Sequence, residues 1–191
     1  MKVLQSEAEL REIIHRPQQS VWDKATDRID AKARRFIELS PFFLLATSSD
    51  DGTCDVSPRG DPPGSVLVLD EHTLAFGDRK GNRRLDCLCN ILERRHVGML
   101  FVIPGITETL RINGQARILA AAPYMTQLAV RNVVPPIAVE VHVEELFVHC
   151  TRAFVRSALW KTSSWPGKER FRGPRHPEPR AGREGGKGGA G

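Results

Sequence analysis

FFLLATSSDDGTCDVSP, residues 42–58, is an apolar run, a polar turn and a second short run. Asp50-Asp51-Gly52-Thr53 carries the Asp-Gly signal of a tight turn, so residues 42–49 and 54–58 read as the two arms of a β-hairpin. Working outward, SVLVLD (65–70) and TLAFGD (73–78) flank Glu71-His72 and form a second hairpin rich in Val, Leu and Phe. VGMLFVI (97–103) is a buried-strand pattern ended by Pro104-Gly105. ETLRINGQARIL (108–119) alternates Leu110, Ile112, Gly114, Ala116 and Ile118 on one face against Arg111, Asn113, Gln115 and Arg117 on the other. IAVEVHV (137–143) and ELFVHC (145–150) read as two further strands.

Helical signals surround this β-rich centre. Ser6 and Glu9 are spaced as a capping box for a short helix that runs to about His15, ahead of Pro17. DAKARRFIEL (30–39) reads as a second helix. Leu85, Leu88, Cys89 and Leu92 recur at helical spacing behind Asn82, a good capping residue. Pro123 opens a short helix, and RAFVRSALW (152–160) reads as a closing one. Short connections between many strands favour a closed antiparallel barrel with peripheral helices over a parallel sheet.

The chain has 191 residues and a net charge of +5, with 28 Lys and Arg against 23 Asp and Glu. Residues 166–191 hold 7 of those cations and 3 of the acids, so +4 of the excess belongs to the terminus PGKERFRGPRHPEPRAGREGGKGGAG. With eight Gly, four Pro and Phe171 as its one large apolar side chain, that segment reads as a disordered, solubilising tail. The expected organisation is a helical segment over 1–40, a barrel domain over 41–165 and the tail over 166–191. No stretch is long and apolar enough for a spanning helix and the N-terminus lacks a signal-peptide layout, so the expectation is a soluble cytoplasmic protein. Cys54, Cys87, Cys89 and Cys150 lack zinc-site spacing, and the six histidines are scattered; no metal site is expected.

Asp78-Arg79-Lys80-Gly81-Asn82-Arg83-Arg84 sets four cations around a glycine between a strand and a helix. Arg83 and Arg84 in the first turn of a helix would be disfavoured by about 0.3–1 kcal/mol each, and an anion resting on the helix amides would reverse that sign. A solvated charge run balanced by Asp78 and Asp86 is the alternative that the residues leave open. Ser57-Pro58-Arg59-Gly60-Asp61-Pro62-Pro63-Gly64 reads as a stiff connection that holds Arg59 in a fixed place. There is no GxGxxG, Walker A loop or Gly-x-Ser-x-Gly elbow, which removes dinucleotide, P-loop and serine-hydrolase chemistry.

ATSSDDGTCDVSPRGDPPG (46–64), LAFGDRKGNRRLDCLCNILERRHVGMLF (74–101) and ETLRINGQARI (108–118) together resemble the pyridoxamine 5′-phosphate oxidase-like FMN-binding split-barrel family, in the branch marked by DVSPRGDPPG and GNRRLD. VEELFVHCTRAFVRSALW (143–160) resembles the same branch's ending. The resemblance implies a six-stranded antiparallel Greek-key barrel, a homodimer with FMN at the subunit interface, and an FMN-dependent oxidoreductase acting on a small molecule with a reductant such as NAD(P)H. It implies Arg59 near the flavin or its phosphate and Arg79, Lys80, Asn82, Arg83 and Arg84 around the phosphate. With Arg152 and Arg156 on the same helix face, Trp160 is expected to reach the partner subunit's flavin.

The oxidases of the family carry an Arg-x-Val-Leu-Leu-Lys run where this chain reads DVSPRG, and an Arg-Leu-His-Asp-Arg segment where it reads CTRAFVRSALWKTSSW. Both departures point away from pyridoxamine phosphate as substrate. A flavin carrier or redox sensor without turnover has the same sequence signature, as has a deazaflavin binder. A nucleic-acid binder would interleave aromatic residues with the cations, and residues 78–95 contain none.

Overall fold

The computed structural model describes residues 1–167 and 170. It divides into two compact units, Met1–Trp160 and Lys161–Gly191. In the second, the described part contains one short 3₁₀ turn, Thr162–Ser164. The rest of the expected tail lies outside the described residues.

The first unit is mainly β. β1 (Phe42–Ser48), β2 (Cys54–Gly60), β3 (Val66–Val68), β4 (Thr73–Gly77), β5 (His96–Val102), β6 (Thr109–Leu119) and β7 (Ala138–His149) form one antiparallel sheet in the order β2-β1-β5-β6-β7-β4-β3. The expected mainly antiparallel β fold with peripheral helices is therefore present, with seven strands instead of six and without the expected closure. No ladder joins β2 to β3 among the described residues. The cause lies in the inward face of β2, which carries Asp55, Ser57 and Arg59, not apolar side chains, so the strand borders a cleft instead of closing the sheet.

Leu45, Met99, Phe101, Leu110, Ile112, Val139 and Val141 fill the barrel interior, all but fully buried, with Phe43 stacked on Phe101 at 5.0 Å between ring centroids. Of the helices, α1 (Glu7–Ile13) starts at Ser6, whose hydroxyl accepts from the Glu9 amide at 3.3 Å. A short α2 (Gln19–Trp22) follows. α3 (Ala31–Leu39) is capped by Asp30, and Ile29, Ala33 and Ile37 are buried in the core. α4 (Asp86–Glu93) packs on β1, β2 and β6. No helix among the described residues is long and apolar enough to cross a membrane.

Three local expectations need correction. The pair of strands expected over 137–150 is one continuous strand, because a bulge absorbs the charged Glu144-Glu145 pair: Asn113 faces Glu145 and Gly114 faces Val143, so the register steps over Glu144. The buried face of α4 is Cys87, Leu88, Asn90 and Ile91, whereas Cys89 and Leu92 are exposed and Leu85 stands outside the helix with a left-handed backbone (φ 63°). The closing helix α5 is only Arg152–Ser157, since Ala158 turns left-handed (φ 49°), so Arg152, Arg156 and Trp160 do not share a helix face.

The β1–β2 turn makes a pH prediction. Asp51 accepts from the Ser49 hydroxyl and, at 2.8 Å, from the Thr53 amide, and these bonds hold its carboxyl down to about 2. A depressed carboxylate stabilises the fold above its unfolded value near 3.8 and loses that contribution as pH falls from about 4 toward 2. Asp51→Asn should therefore lower the urea midpoint at pH 7 and show a clearly smaller deficit at pH 2.5. An equal deficit at both values would contradict the assignment.

Candidate functional site

A cleft of about 1090 Å³ opens at the β2 edge, between that strand, the loop from β4 to α4, and the segment before β7. Arg59, Arg79, Lys80, Asn82, Arg83 and Arg84, drawn from two separate stretches of sequence, all line it. Arg59 reaches it from a strand, not a loop: β2 continues through Pro58 to Gly60, with Arg59 opposite Phe43. Proline is tolerated there because β2 is an edge strand.

The six residues do different work. Arg59 Nη1 donates to Asp78 Oδ1 at 2.7 Å and its Nε to Ser57 Oγ at 3.3 Å, in a pair whose side chains are only 21% and 16% exposed. Arg79 Nε donates to Asp61 Oδ2 at 2.7 Å and its Nη2 to the Leu128 carbonyl at 2.8 Å, so it ties two walls of the cleft together. Arg84 Nε donates to Asp86 Oδ2 at 2.8 Å; that carboxylate raises the guanidinium above its ordinary value, and Asp55 adds to the attraction. Lys80 and Arg83 are exposed and form no ion pair among the described residues.

Asn82 is not the helix cap. Its Oδ1 accepts from the Arg84 amide at 3.0 Å, within the loop, and α4 begins behind left-handed Leu85 with no side-chain cap. Arg83 and Arg84 thus precede the helix, and the penalty expected for cations in its first turn does not arise. The strain lies in the backbone instead, where Arg83 (φ 63°) and Leu85 (φ 63°) adopt conformations that cost side-chain-bearing residues of order 1 kcal/mol.

The facing wall went unread in the sequence. Val130 and Val133 exchange backbone hydrogen bonds at 3.1 and 3.0 Å around Arg131 (φ 51°) and Asn132 (φ 64°), a two-residue turn that carries Arg131 to the cleft. The available signal was Asn132 next to Arg131 between β-branched valines. Behind the turn, Val133, Val134, Pro135 and Pro136 make the wall apolar. It is fixed in place by the Asp78 amide donating to the Ile137 carbonyl at 3.1 Å, and by Gly77, where a Cβ would lie 2.7 Å from Pro135 Cγ.

Among the lining residues Cys87 Sγ stands 3.2 Å from Ser57 Oγ, and the buried Asn90, outside the lining, donates from Nδ2 to both Thr47 Oγ1 (3.0 Å) and Asp55 Oδ2 (2.9 Å). Trp160 is not among the lining residues. Its indole N–H donates to the Ile106 carbonyl at 2.7 Å and its ring stacks on Phe154.

Six cations line the cleft (Arg59, Arg79, Lys80, Arg83, Arg84 and Arg131) against the four carboxylates of Asp55, Asp61, Asp78 and Asp86, which leaves two positive charges. The Nη2 of Arg59 makes no hydrogen bond among the described residues, and neither do the side chains of Lys80, Arg83 and Arg131. Such a set can take a doubly charged oxyanion without breaking the internal ion pairs.

Comparison with known proteins agrees with this architecture. Residues 29–150 match the family model described as pyridoxamine 5′-phosphate oxidase. The structure of HupZ from Group A Streptococcus superposes with a TM-score of 0.51 at 20% identity, over 63% of this chain and 93% of that one. A putative pyridoxamine 5′-phosphate oxidase from Lactobacillus delbrueckii superposes with a TM-score of 0.50 at 22% identity, over 64% of this chain and 95% of that one. At these identities the likeness is one of fold. No curated protein matches the sequence.

Proposed function

Because the chain belongs to the pyridoxamine 5′-phosphate oxidase family, we propose that its cleft binds FMN and that the protein is a homodimeric FMN-dependent oxidoreductase of a small molecule. The observation that carries this reading is the charge of the cleft. Two surplus positive charges match a phosphate monoester, which bears about −1.5 to −2 at neutral pH. The volume of about 1090 Å³ suits a cofactor-sized ligand. The valine and proline wall offers an apolar surface to a flat ring system.

In this reading Lys80 and Arg83 take the phosphate, helped by the open edge of Arg59 and by Arg131. Arg79 is a positioning residue that keeps the Asp61 loop and the Leu128 segment at a fixed spacing. Bound FMN supplies hydride or electron transfer, with a reductant such as NAD(P)H as donor; the chain binds it, orients it and shields one side from water. DVSPRG and the chain's own ending, where the oxidases differ, favour a substrate other than pyridoxamine phosphate. Four unpaired cysteines accord with the reducing cytoplasm.

The dimer reading rests on the outward face of β1, β2 and β5. Phe42, Leu44, Ala46, Val56, Leu100 and Val102 are in register there, and Val56 is 62% exposed. An apolar sheet face of this kind is suited to pairing with a second copy. Leu100→Asp should convert a dimer into a monomer in light-scattering chromatography; a wild-type chain that runs as a monomer with FMN added would refute the pairing.

Purified protein should show a flavin absorbance spectrum or acquire one on reconstitution with FMN. A colourless chain that stays colourless with FMN would end the proposal. Oxidation of NAD(P)H by the yellow protein in the presence of an acceptor distinguishes an enzyme from a carrier or sensor.

A further inference from the structure

Asp55, Ser57 and Arg59 alternate along the cleft side of β2, so an acceptor, a hydroxyl and a cation succeed one another at about 7 Å intervals. Asp55 is the member that the phosphate does not explain. It is a half-buried carboxylate in a cleft of positive charge, and it forms no ion pair among the described residues. It is also held with care. Asn90, only 6% exposed, donates to Asp55 Oδ2 and to Thr47 Oγ1, itself 5% exposed, and so anchors the carboxylate from beneath. Asp55 Oδ1 has no hydrogen-bond partner among the described residues, and it is not a buried unsatisfied atom. Oδ1 therefore keeps access to solvent, in a residue that lines the cleft.

A carboxylate repels a phosphate and accepts from an O–H or N–H donor. The freest cations, Lys80 and Arg83, have no comparable acceptor bound to them, and the Arg59 guanidinium, whose backbone stands two alternations along the strand from Asp55, is turned to Ser57 and Asp78. We infer that Asp55 accepts a hydrogen bond from the uncharged part of the flavin, a ribityl hydroxyl or the ring imide N–H, and so fixes which way round the cofactor lies along β2. The inference rests on FMN being the ligand of this cleft. Asp55 is then a binding residue whose carboxylate rejects the reversed orientation, in which the phosphate would lie against it.

Asp55→Asn preserves the side-chain shape and an oxygen for Asn90 while turning an N–H donor toward the cleft. The full-length chain, stripped of flavin, is titrated with FMN, riboflavin and lumiflavin by fluorescence quenching. FMN and riboflavin should both weaken by about tenfold, the ordinary cost of a lost bond to a charged acceptor. Lumiflavin keeps the imide but has no ribityl chain. An unchanged lumiflavin affinity assigns the bond to the ribityl hydroxyls, and an equal tenfold loss assigns it to the imide. Asp55→Ser provides the same comparison should the amide variant fold poorly. Unaltered riboflavin affinity overturns the inference, most directly if FMN binds more tightly to the variant, since the carboxylate would then be facing the phosphate. A wild-type chain that binds neither FMN nor riboflavin overturns the FMN reading, and this placement with it.

Discussion

Lys80→Ala combined with Arg83→Ala lowers FMN affinity about a hundredfold and leaves riboflavin affinity unchanged. Each side chain offers a charge-assisted bond to a phosphate oxygen, and for exposed groups about 1.4 kcal/mol apiece, or tenfold in affinity, is a reasonable size. Neither residue is tied into the protein by an ion pair among the described residues, so their removal leaves the walls of the cleft standing. Arg79→Ala behaves differently. It orphans Asp61 Oδ2 and the Leu128 carbonyl, and should lower thermal stability as well as affinity. The phosphate contribution is also screened: FMN binding by wild type should weaken between 50 mM and 500 mM salt, while riboflavin binding stays level. Calorimetric titration of both ligands at both salt concentrations is the measurement. Equal losses of FMN and riboflavin in the double variant would show that the two cations hold something other than the phosphate.

Those two residues stood out in the sequence as part of a cation-dense loop, but their distinction from Arg59, Arg79 and Arg84 did not. For Arg59 and Arg79 that distinction depends on Asp78, Asp61 and the Leu128 carbonyl, up to 49 positions away, which meet them only after the sheet has formed; Arg84 is set apart by its near neighbour Asp86. Local patterns worked where the structure is local. The β1–β2 hairpin follows from the apolar run and the Asp-Gly turn, and the Ser6 cap is where short-range chemistry places it. They failed where a single residue changes the phase. Leu85 fits a helical repeat with Leu88 and Leu92, yet its left-handed backbone puts it ahead of α4, and the buried face rotates to Cys87, Leu88 and Ile91 with the amide of Asn90 among them. Asn90 is invisible to an apolar pattern, and so was its hold on Asp55. Arg131 belongs to no binding motif, and only the turn signal of its neighbour Asn132 marks it; that turn of two residues in a connecting segment brings it to the site.

Gly114→Ala should cost the fold about 3 kcal/mol, at the upper end of what overpacking usually costs, and lower the melting temperature by about 6–12 °C for a domain of this size. A Cβ on Gly114 would lie 2.0 Å from the His142 carbonyl oxygen and 3.0 Å from its carbonyl carbon, both backbone atoms that cannot swing aside. The contact falls where β6 and β7 pass the bulge, so relief requires one long strand to move off the other. β6 and β7 together carry the sheet from the β5 side to the β4 side, which makes their pairing common to both halves of the barrel. Displacing it should loosen the wall that Gly77, Asp78 and Ile137 fix beside the cleft, because β4 pairs with β7 from Gly77 opposite Ala138 to Thr73 opposite His142. Weaker FMN binding is therefore expected to accompany the lower melting point. Gly81→Ala is the control: its Cβ would meet nothing nearer than the Arg79 carbonyl at 3.9 Å, and stability should stay within about 0.5 kcal/mol of wild type. A Gly114→Ala chain that melts with wild type would mean that the strands separate at the bulge without cost, and that the close approach there is not what sets their register.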